Sequence, residues 1–597
     1  MVFFGAVFAL FITLLAAAML APPGWSLWLN AVGLLALANA GSVPFTRAIG
    51  HPPYTQSLWF GVSALASAWL STEREWLPVA SLGVVLLAGV ALVWGLGTLF
   101  RRVQKWQVVV ITLALSFVAF AANIALSPRS GSIIHNVPIM ESFGVDFQSQ
   151  KGFLVLIWVL LALLVWMVTN VFDAFVGRGL VVAQEDEGLA DEYGIDALAA
   201  SRGFYILASV PALLSGWIFA FWIRSVGAEV FSAPLWLFCV LVCMVAGWLG
   251  PWGAVVGSAM VMLPLTFVSL PSALIRWDAN VIALAGLLAC CGLMWRYSRS
   301  IGKWFQKMRR KLDPHEVDLG MVDERSGMKA HGVPPPGTEV LRLESVTMGE
   351  STRPPVQAVS FDVRVGEAVA ILSDRAESRR ALLALLSGRV LPRQGDVLVW
   401  GESGKSIAAQ HWGRHGISRT HQPPRLIDDF HVIDNVTVGL SARLPMSLTA
   451  AMVRANMADE RVARSEAMHH LSRVWMREEA QTLVKDLSPS RQQMVELARA
   501  LTADPALLLL DNMGKTLRGS DREIVLNFIA DLNATGVAVV ILDDDWEFAR
   551  AASLRLIVIE SGLVIADGPT ERVLAETGMR DKLSEFGRDS RSNNAAV

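Results

Sequence analysis

The stretch FVGRGLVVAQEDEGLADEYGI occupies Phe175–Ile195 and lies between two long apolar runs, Phe153–Phe172 and Gly203–Trp222. It contains five acidic residues, and ionised side chains are costly to place inside the hydrocarbon core of a bilayer. We therefore predict a loop at a membrane surface that presents a short helix. A plain connector is the alternative. The soluble segment further along the chain must contact the membrane half somewhere, and this loop is the largest candidate surface.

The composition indicates a membrane protein with a soluble part. Of the 597 residues, 53% are hydrophobic and 17% are charged, which is too apolar for an ordinary soluble protein. The apolar runs end near Arg296, and the sequence is mixed and polar after Leu312. The net charge of −2 gives no indication of nucleic-acid binding. All four cysteines lie in apolar runs, so we interpret them as packing residues and predict no metal site.

The membrane half offers about ten candidate spans, since a helix needs roughly 20 apolar residues to cross a bilayer. Basic residues at Arg101, Arg102 and Lys105, and again between 296 and 311, mark cytoplasmic ends of spans. Counting between them puts the acidic stretch on the cytoplasmic side. The predicted spans are Val2–Leu20, Leu27–Val43, Gln56–Leu70, Trp76–Phe100, Trp106–Leu126, Phe153–Phe172, Gly203–Trp222, Pro234–Trp248, Ala254–Leu274 and Val281–Trp295.

Two segments of this half are similar to a known family. GRGLVVAQEDEGLADEYGID and the later AGWLGPWGAVVGSAMV resemble the M-type permease of the branched-chain amino-acid ABC importers, over roughly Trp76–Val268. The resemblance implies that the acidic stretch is a coupling loop, which contacts an ATPase. The matching positions are Gly177, Arg178, Leu180, Glu185, Asp186, Glu187, Gly194 and Ile195. The glycines of the second segment favour either close helix packing or a broken helix on a substrate path.

The soluble half alternates apolar strands with helical patterns, which predicts a parallel sheet covered by helices. Ala368–Leu372 is followed by a loop over Ser373–Ser378 and an amphipathic helix over Arg379–Leu386. A strand, a loop and a helix in this order can cradle a phosphate group. Two further buried strands, Ala506–Leu510 and Ala538–Leu542, end in acidic residues.

The order of these elements resembles an ABC-transporter ATPase, in particular the G-type ATPase of the same importers. Three segments carry the resemblance: VGEAVAILSDRAESRRALLALLSGRVLPRQGDVLVWG, GISRTHQPPRLIDDFHVIDNVTVG with Gln422 retained, and LSPSRQQMVELARALTADPALLLLDNM. We predict a helical polytopic permease domain over 1–297 and a basic exit and linker over 298–338. An α/β ABC-ATPase-like domain with a P-loop-type sheet follows over 339–580, with a disordered tail over 581–597.

The nucleotide-binding motif departs from the family pattern. A P-loop needs glycines so that backbone N–H groups can approach phosphate, a lysine for the β/γ oxygens, and Ser or Thr for Mg²⁺. Ser373 and Ser378 stand at glycine positions, and Arg379 stands at the lysine position. Arg380 and Ala381 replace the Ser/Thr pair, which puts a cation where a metal ligand belongs.

The other motifs depart as well. Asp511 remains at the end of its strand, but Asn512 stands where the resemblance places a catalytic Glu, and Asp544 where it places the switch His. The segment that corresponds to Leu-Ser-Gly-Gly-Gln has a proline and lacks both glycines. Its residues are Leu487, Ser488, Pro489, Ser490 and Arg491.

Two interpretations follow from these departures. Either a diverged ATPase still hydrolyses ATP, or the fold persists for its shape and contacts. The loss of four motifs favours the second. The resemblance then implies an importer subunit in a bacterial inner membrane, with a cytoplasmic ATPase-like domain. Its partners would be a second permease, an intact ATPase that uses ATP and Mg²⁺, and an extracytoplasmic binding protein. The alternative is a membrane scaffold or regulatory protein whose ATPase-like domain recruits a partner.

Overall fold

The computed structural model describes residues 23–100, 103–126, 133–142, 145–146, 150–195, 197–267, 335, 337–349, 354–407, 409–444, 447–576, 578–580 and 583. The predicted first span, Val2–Leu20, and last span, Val281–Trp295, lie outside the described residues, as do nearly all of the linker and the tail.

The N-terminal half is helical with four very short strands. Its helices are α1 Pro23–Ala40, α2 Val43–Ile49, α3 Gln56–Thr72, α4 Pro78–Phe100, α5 Lys105–Leu126, α6 Gln150–Asp173, α7 Phe175–Glu185, α8 Glu187–Glu192, α9 Ala197–Ile223, α10 Ala233–Leu249 and α11 Gly253–Phe267. Its strands are β1 Ile134–His135, β2 Glu141–Ser142, β3 Val145–Asp146 and β4 Ser225–Val226.

The C-terminal half alternates strands and helices. Its strands are β5 Glu339–Met348, β6 Val356–Arg364, β7 Ala368–Ser373, β8 Gln394–Val399, β9 Glu402–Ser403, β10 Ile417–Arg419, β11 Leu507–Asp511, β12 Ala538–Leu542, β13 Arg555–Glu560 and β14 Leu563–Pro569. Its helices are α12 Ala376–Leu386, α13 Val432–Val438, α14 Leu448–Met452, α15 Met457–Arg473, α16 Pro489–Thr502, α17 Met513–Thr516, α18 Ser520–Ala534, α19 Trp546–Ala552 and α20 Thr570–Ala575.

The chain divides into two compact units that do not follow the sequence strictly. The short segment Leu448–Ala455 belongs to the first, helical unit, and residues 185–195 belong to the second. Within the first unit Asn170 donates from Nδ2 to Met452 O (2.9 Å) and accepts from Arg454 Nε (2.9 Å). The predicted boundaries treat each domain as one continuous stretch and miss this exchange of segments.

Helices occupy eight of the ten predicted spans in the first unit. Within the described residues, three helices are long and apolar enough to cross a membrane: Pro78–Phe100, Gln150–Asp173 and Ser201–Ile223. A fourth arises if Trp25–Ala40 and Val43–Ile49, bent by 41°, form one span. The other predicted spans within the described residues coincide with further apolar helices, and the remaining two lie outside the described residues.

The glycine-rich segment between α10 and α11 forms a tight helical turn. Gly250 has a φ of 79°, a left-handed value that favours glycine. A Cβ on Gly253 would lie 2.6 Å from Val245 O, and one on Gly257 would lie 3.1 Å from Val245 Cβ. These glycines therefore allow α10 and α11 to pack closely, which is the first of the two alternatives that the sequence left open.

The predicted surface loop over Phe175–Ile195 needs a correction. It forms two helices, and the first, α7, is largely buried. Residues 175–183 are mostly apolar, and the polar character starts only at Gln184. The prediction extends the acidic character of the second part to the whole stretch. Only this second part forms α8 and belongs to the second unit.

The second unit is built on a six-stranded sheet in the order β10-β11-β12-β7-β13-β14, parallel except for the β13–β14 pair. β11 and β12 are buried along their whole length. Such continuous apolar runs are typical of parallel strands that are covered on both faces. A second, antiparallel sheet has the order β6-β5-β8-β9. The carboxyl ends of β7, β11 and β12 meet at one edge, where ligands bind in open α/β sheets.

Candidate functional site

The corner between β7 and α12 corresponds to the predicted phosphate-binding loop. β7 ends at Ser373 and α12 begins at Ala376, so only Asp374 and Arg375 lie between them. The predicted loop over Ser373–Ser378 is therefore too long, and the predicted helix start at Arg379 is wrong. Residues 376–381 contain no glycine and are mostly good helix formers, so the helix begins three residues earlier.

Three backbone N–H groups of this corner are engaged within the protein. Asp374 N donates to Ile559 O (3.3 Å), Arg375 N to Ser373 Oγ (3.4 Å) and Arg379 N to Arg375 O (3.2 Å). Residues 373–381 are all described, and none of them has a positive φ. An anion nest needs successive N–H groups that converge, with one residue in the left-handed region. This corner does not form one.

The Arg379 guanidinium lies between two carboxylates from neighbouring strand ends. Its Nη1 donates to Asp544 Oδ1, and its Nε lies 3.8 Å from Asp511 Oδ1. The three side chains are only 12–13% exposed. Burial raises the pKa of the Asp511 carboxyl, although Arg379 opposes the shift. The charge of the cation at the P-loop lysine position is thus balanced by two acids of the chain itself.

Asn512 holds this arrangement together through its backbone and its side chain. Its φ of 48° and ψ of 43° are left-handed, a conformation that Asn tolerates better than most residues. Its Nδ2 donates to Asp544 Oδ2 (3.3 Å), and its Oδ1 accepts from Asp544 N (3.2 Å). Asn512 therefore orients the carboxylate that pairs with Arg379.

The other residues predicted at this site do not converge on a ligand. Arg380 is exposed and donates from Nε to Ala376 O (3.3 Å) on its own helix, and Ala381 is buried in the core. Ser378 is fully buried, and its Oγ has no hydrogen-bond partner in the described part of the chain. Gln422 donates from Nε2 to Thr516 Oγ1 (2.8 Å).

The segment Leu487–Arg491 forms the start of α16. Ser488 caps the helix, with its Oγ accepting from Arg491 N (3.4 Å), and Pro489 occupies the first turn, where its missing N–H is not needed. Ser490 Oγ donates to Asp521 Oδ2 (2.7 Å), and Arg491 Nη1 donates to Trp475 O (3.2 Å). The sequence PSRQQ thus makes a well-capped helix whose polar groups bond locally.

Two family models match the chain over these two parts. Residues 27–290 match the permease component of the branched-chain amino acid transport system, and residues 356–514 match the ABC transporter model. The chain joins a helical permease domain to an ABC ATPase domain.

Individual relatives match over part of the chain. It is 29% identical to a ribose import ATP-binding protein of Streptomyces avermitilis, over 39% of this chain and 42% of the relative. It is 28% identical to a methionine import ATP-binding protein of Mesorhizobium japonicum, over 41% of this chain and 65% of the relative. A nucleotide-free ATP-binding cassette of an ABC transporter aligns with a TM-score of 0.36 and 20% identity, over 42% of this chain and 98% of that one. The chain thus spans less than two thirds of the curated relatives it matches.

A second cluster in the same unit involves the acidic helix α8. Asp186 caps α8 by accepting from Leu189 N (3.0 Å), and it also pairs with Arg425 (3.3 Å). Glu192 Oε1 lies 2.7 Å from Arg419 Nη2, and Glu192 Oε2 lies 2.8 Å from His421 Nε2. Burial alone would raise the pKa of Glu192, but His421 and Arg419 outweigh it and lower this pKa to about 2.

The cluster continues into α16, the helix that starts at Pro489. His421 Nδ1 lies 2.6 Å from Glu496 Oε1, and Arg499 Nη2 donates to Glu496 Oε2 (2.6 Å). Arg499 also donates to Arg425 O (2.7 Å) and stacks over the Tyr193 ring, 5.4 Å from its centroid. Positive and negative side chains alternate through the cluster, so each charged group named here has a neighbour of opposite sign.

Sequence reasoning missed most of this cluster. It proposed Glu185, Asp186 and Glu187 for the coupling loop but did not single out Glu192 or its partners. One signal was available: Glu496 and Arg499 interrupt the apolar face of an amphipathic helix, three residues apart. Charges at core positions of a helix are rare unless they are paired.

The remaining coupling-loop residues lie apart from the cluster. Gly177 lies in α7, where a Cβ would come within 2.5 Å of the Phe172 backbone. Arg178 is buried and stacks over Phe175 at 5.6 Å. Gly194, with a φ of 68°, ends the turn after α8. Glu185 is exposed, and its pKa is raised by partial burial and by Asp429 and Asp428. Glu187 starts α8, and its side chain lies outside the described structure.

MgATP does not fit the residues at the β7–α12 corner. Three of its N–H groups are bonded internally. The cation is paired with two acids, and Arg380 is exposed where a metal ligand would be needed. The three consecutive acids after β12 are also occupied: Asp543 accepts from Gly514 N (2.7 Å), Asp544 pairs with Arg379, and Asp545 pairs with Arg522 (2.7 Å). In the part of the chain that the structure describes, no group of three or more His, Cys, Asp or Glu could hold a metal ion.

Replacing Arg379 by Ala is expected to lower the thermal stability of the full chain. Asp511 and Asp544 would lose their cation in a poorly solvated site, and removing one partner of such a pair costs about 3 kcal/mol. In the Arg379→Ala, Asp544→Ala double variant we expect less than the sum of the two single losses, by about 1 kcal/mol or more. Arg380→Ala, on the exposed neighbour, is the control and should change stability little. Equal effects of Arg379→Ala and Arg380→Ala in thermal unfolding would contradict the ion pair.

Proposed function

We propose that this chain is a subunit of an ABC-type importer, and that it supplies one permease half and one nucleotide-binding domain that does not turn over ATP. Two models, for a permease and for an ABC transporter, match within one chain. The pairing of Arg379 with Asp511 and Asp544 is the observation that supports a silent site. Such an importer works in a bacterial inner membrane, with the ATPase domain on the cytoplasmic side.

The proposed assembly needs further subunits. Importers of this kind use two permease halves and two nucleotide-binding domains, and one copy of this chain supplies one of each. Since its own phosphate site is self-paired, ATP and Mg²⁺ must act at a second, intact ATPase. A second permease and an extracytoplasmic binding protein complete the proposed assembly.

We propose branched-chain or related amino acids as the imported substrates. The permease domain carries the solute path, and its matching model describes a branched-chain amino acid system. The relatives named for ribose and methionine import are ATP-binding proteins. An ATP-binding protein supplies the energy of import and does not form the solute path. We therefore give the permease match more weight.

Purification of the tagged chain from its native membrane tests the assembly. We expect it to retain a second membrane subunit and an ATPase with an intact P-loop. A stable homodimer that transports without other subunits would contradict the heteromeric assembly. Retention of a cytoplasmic partner, without any permease and without uptake in any assay, would favour the scaffold alternative.

Competition in vesicles that contain the complete assembly tests the substrate. Uptake of labelled leucine should be reduced by unlabelled isoleucine and valine, and not by ribose. Uptake of labelled ribose with no uptake of leucine would transfer the proposal to sugar import while leaving the assembly intact.

A further inference from the structure

His421 is held between two carboxylates from different elements. Its Nε2 lies 2.8 Å from Glu192 Oε2, which ends α8, and its Nδ1 lies 2.6 Å from Glu496 Oε1 in α16. His421 and Glu496 are buried, at 4% and 0% exposure of their side chains, and Glu192 is nearly so, at 14%. His421 also directly precedes Gln422, the retained residue of the Gln-loop segment.

The contacts of the His421 ring with Glu192 and Glu496 bear on its protonation state. Ionised carboxylates can only accept hydrogen bonds, so a ring that bonds to both of them must donate from both nitrogens. A neutral imidazole has one N–H and can satisfy only one of the two carboxylates. An imidazolium carries an N–H on each ring nitrogen and can therefore bridge the two acids.

Several other charged groups face this ring. Arg419 on β10 directs its Nε–H at His421 Nε2 (3.1 Å), which opposes a proton on that nitrogen, and it shares Glu192 with the ring. Arg389, after α12, lies 3.7 Å from Glu192 Oε1. Arg499 on α16 pairs with Glu496, and Asp511 at the end of β11 interacts with the ring electrostatically. Burial lowers the pKa of His421, but Glu192 and Glu496 outweigh it and raise this pKa above its ordinary value.

We propose that His421 is a positioning residue that joins α8 to α16 as a cation, and that this joint opens when the ring loses its proton in alkaline solution. Loss of the proton leaves one nitrogen without a hydrogen, so one of the two carboxylates loses its bond to the ring, while each keeps its arginine. The bridge is a property of the folded chain alone. Its consequence for transport rests on the proposed function, because it assumes that α8 carries motion between permease and ATPase.

The direction of the pH effect follows from linkage. A histidine whose pKa is raised by folding contributes stability that is fully present below its unfolded pKa, near 6.5. That contribution is lost as the pH rises through the folded pKa. Glu192 has a lowered pKa, so its own contribution is constant over this range and is lost only in strong acid.

Thermal unfolding of the full chain in detergent, from about pH 6 to about pH 10, tests the bridge. We expect the unfolding temperature to fall as the pH rises through the folded-state pKa of His421. We call this part of the pH profile the alkaline limb. Glu192→Gln removes one of the two anions and should move that limb to lower pH by about one unit or more. Glu185→Gln, on the same segment but facing Asp428 and Asp429, is the matched control and should leave it in place. His421→Gln should abolish the limb.

A limb that keeps its position in Glu192→Gln would overturn the proposal, because a merely structural carboxylate would change stability without moving a pH midpoint. If His421→Gln does not fold, the pH midpoints of the alkaline limb in Glu192→Gln and Glu185→Gln still test the proposal. Uptake by the assembly is a separate readout, in which the alkaline limb should shift in the same direction. A shifted midpoint in the unfolding of Glu192→Gln, with no uptake by the assembly at any pH, would support the bridge and contradict the proposed importer function.

Discussion

Loss of ATP hydrolysis by the assembled transporter is expected when the P-loop lysine of the partner ATPase is replaced by Ala, and not when Asn512 of this chain is replaced by Gly. The partner's lysine would contact the β/γ oxygens directly, and removing one preorganised group at developing charge costs about 10²–10³ in rate. Asn512 instead orients Asp544 inside an ion pair. Glycine accepts its left-handed backbone, so this variant deletes the side chain without adding strain.

The Asn512→Gly rate should stay within about twofold of the wild-type rate, since phosphoryl transfer depends on groups that touch phosphate, nucleophile or metal. Asn512→Glu restores the expected acid and should give no gain, because Arg379 remains paired. Photolabelling with an azido-ATP analogue should mark the partner subunit and leave this chain unlabelled. Strong labelling of this chain, together with a large loss of hydrolysis in Asn512→Gly, would mean that it is an active ATPase of unusual chemistry.

The sequence predicted the soluble fold well where its pattern was continuous. Ala538–Leu542 is a strand at the predicted bounds because five apolar residues lie between turn residues. The helix after β7 was placed too late. The helix begins at Ala376 because Ala376 and the residues after it favour helix.

The candidate sites were harder to predict, because their geometry depends on residues that are distant in sequence. The departures at Arg379 and Asp544 were evident individually, but nothing in the pattern showed that they would pair with each other. The same holds for Glu192, whose neighbours Arg419 and His421 lie on another element. A sequence shows which charges are present, and only the fold shows which of them meet.

Charge reversal of Glu192 to Lys is expected to have the largest effect of any single change in the acidic stretch. An ammonium group at this position would face Arg419, His421 and Arg389. Of the two carboxylates that contact His421, only Glu496 would remain. Breaking a buried charge pair costs about 3–5 kcal/mol, which corresponds to at least a ~100-fold loss of the joined state at 1.4 kcal/mol per tenfold. If α8 transmits motion, uptake should fall by a similar factor.

Glu185→Lys is the matched control, since it has the same change of charge seven positions earlier. Glu185 faces Asp428 and Asp429, which already raise its pKa, so a lysine there replaces repulsion by attraction. We expect normal uptake from it. The combined reversal of Glu185, Asp186 and Glu187 should reduce uptake mainly through Asp186, which caps α8 and pairs with Arg425. Labelled-substrate uptake, normalised to the amount of chain in the membrane, compares the three variants. Equal uptake in Glu192→Lys and Glu185→Lys, at equal membrane levels, would reduce α8 to a connector, because the buried cluster would then carry no coupling between the domains.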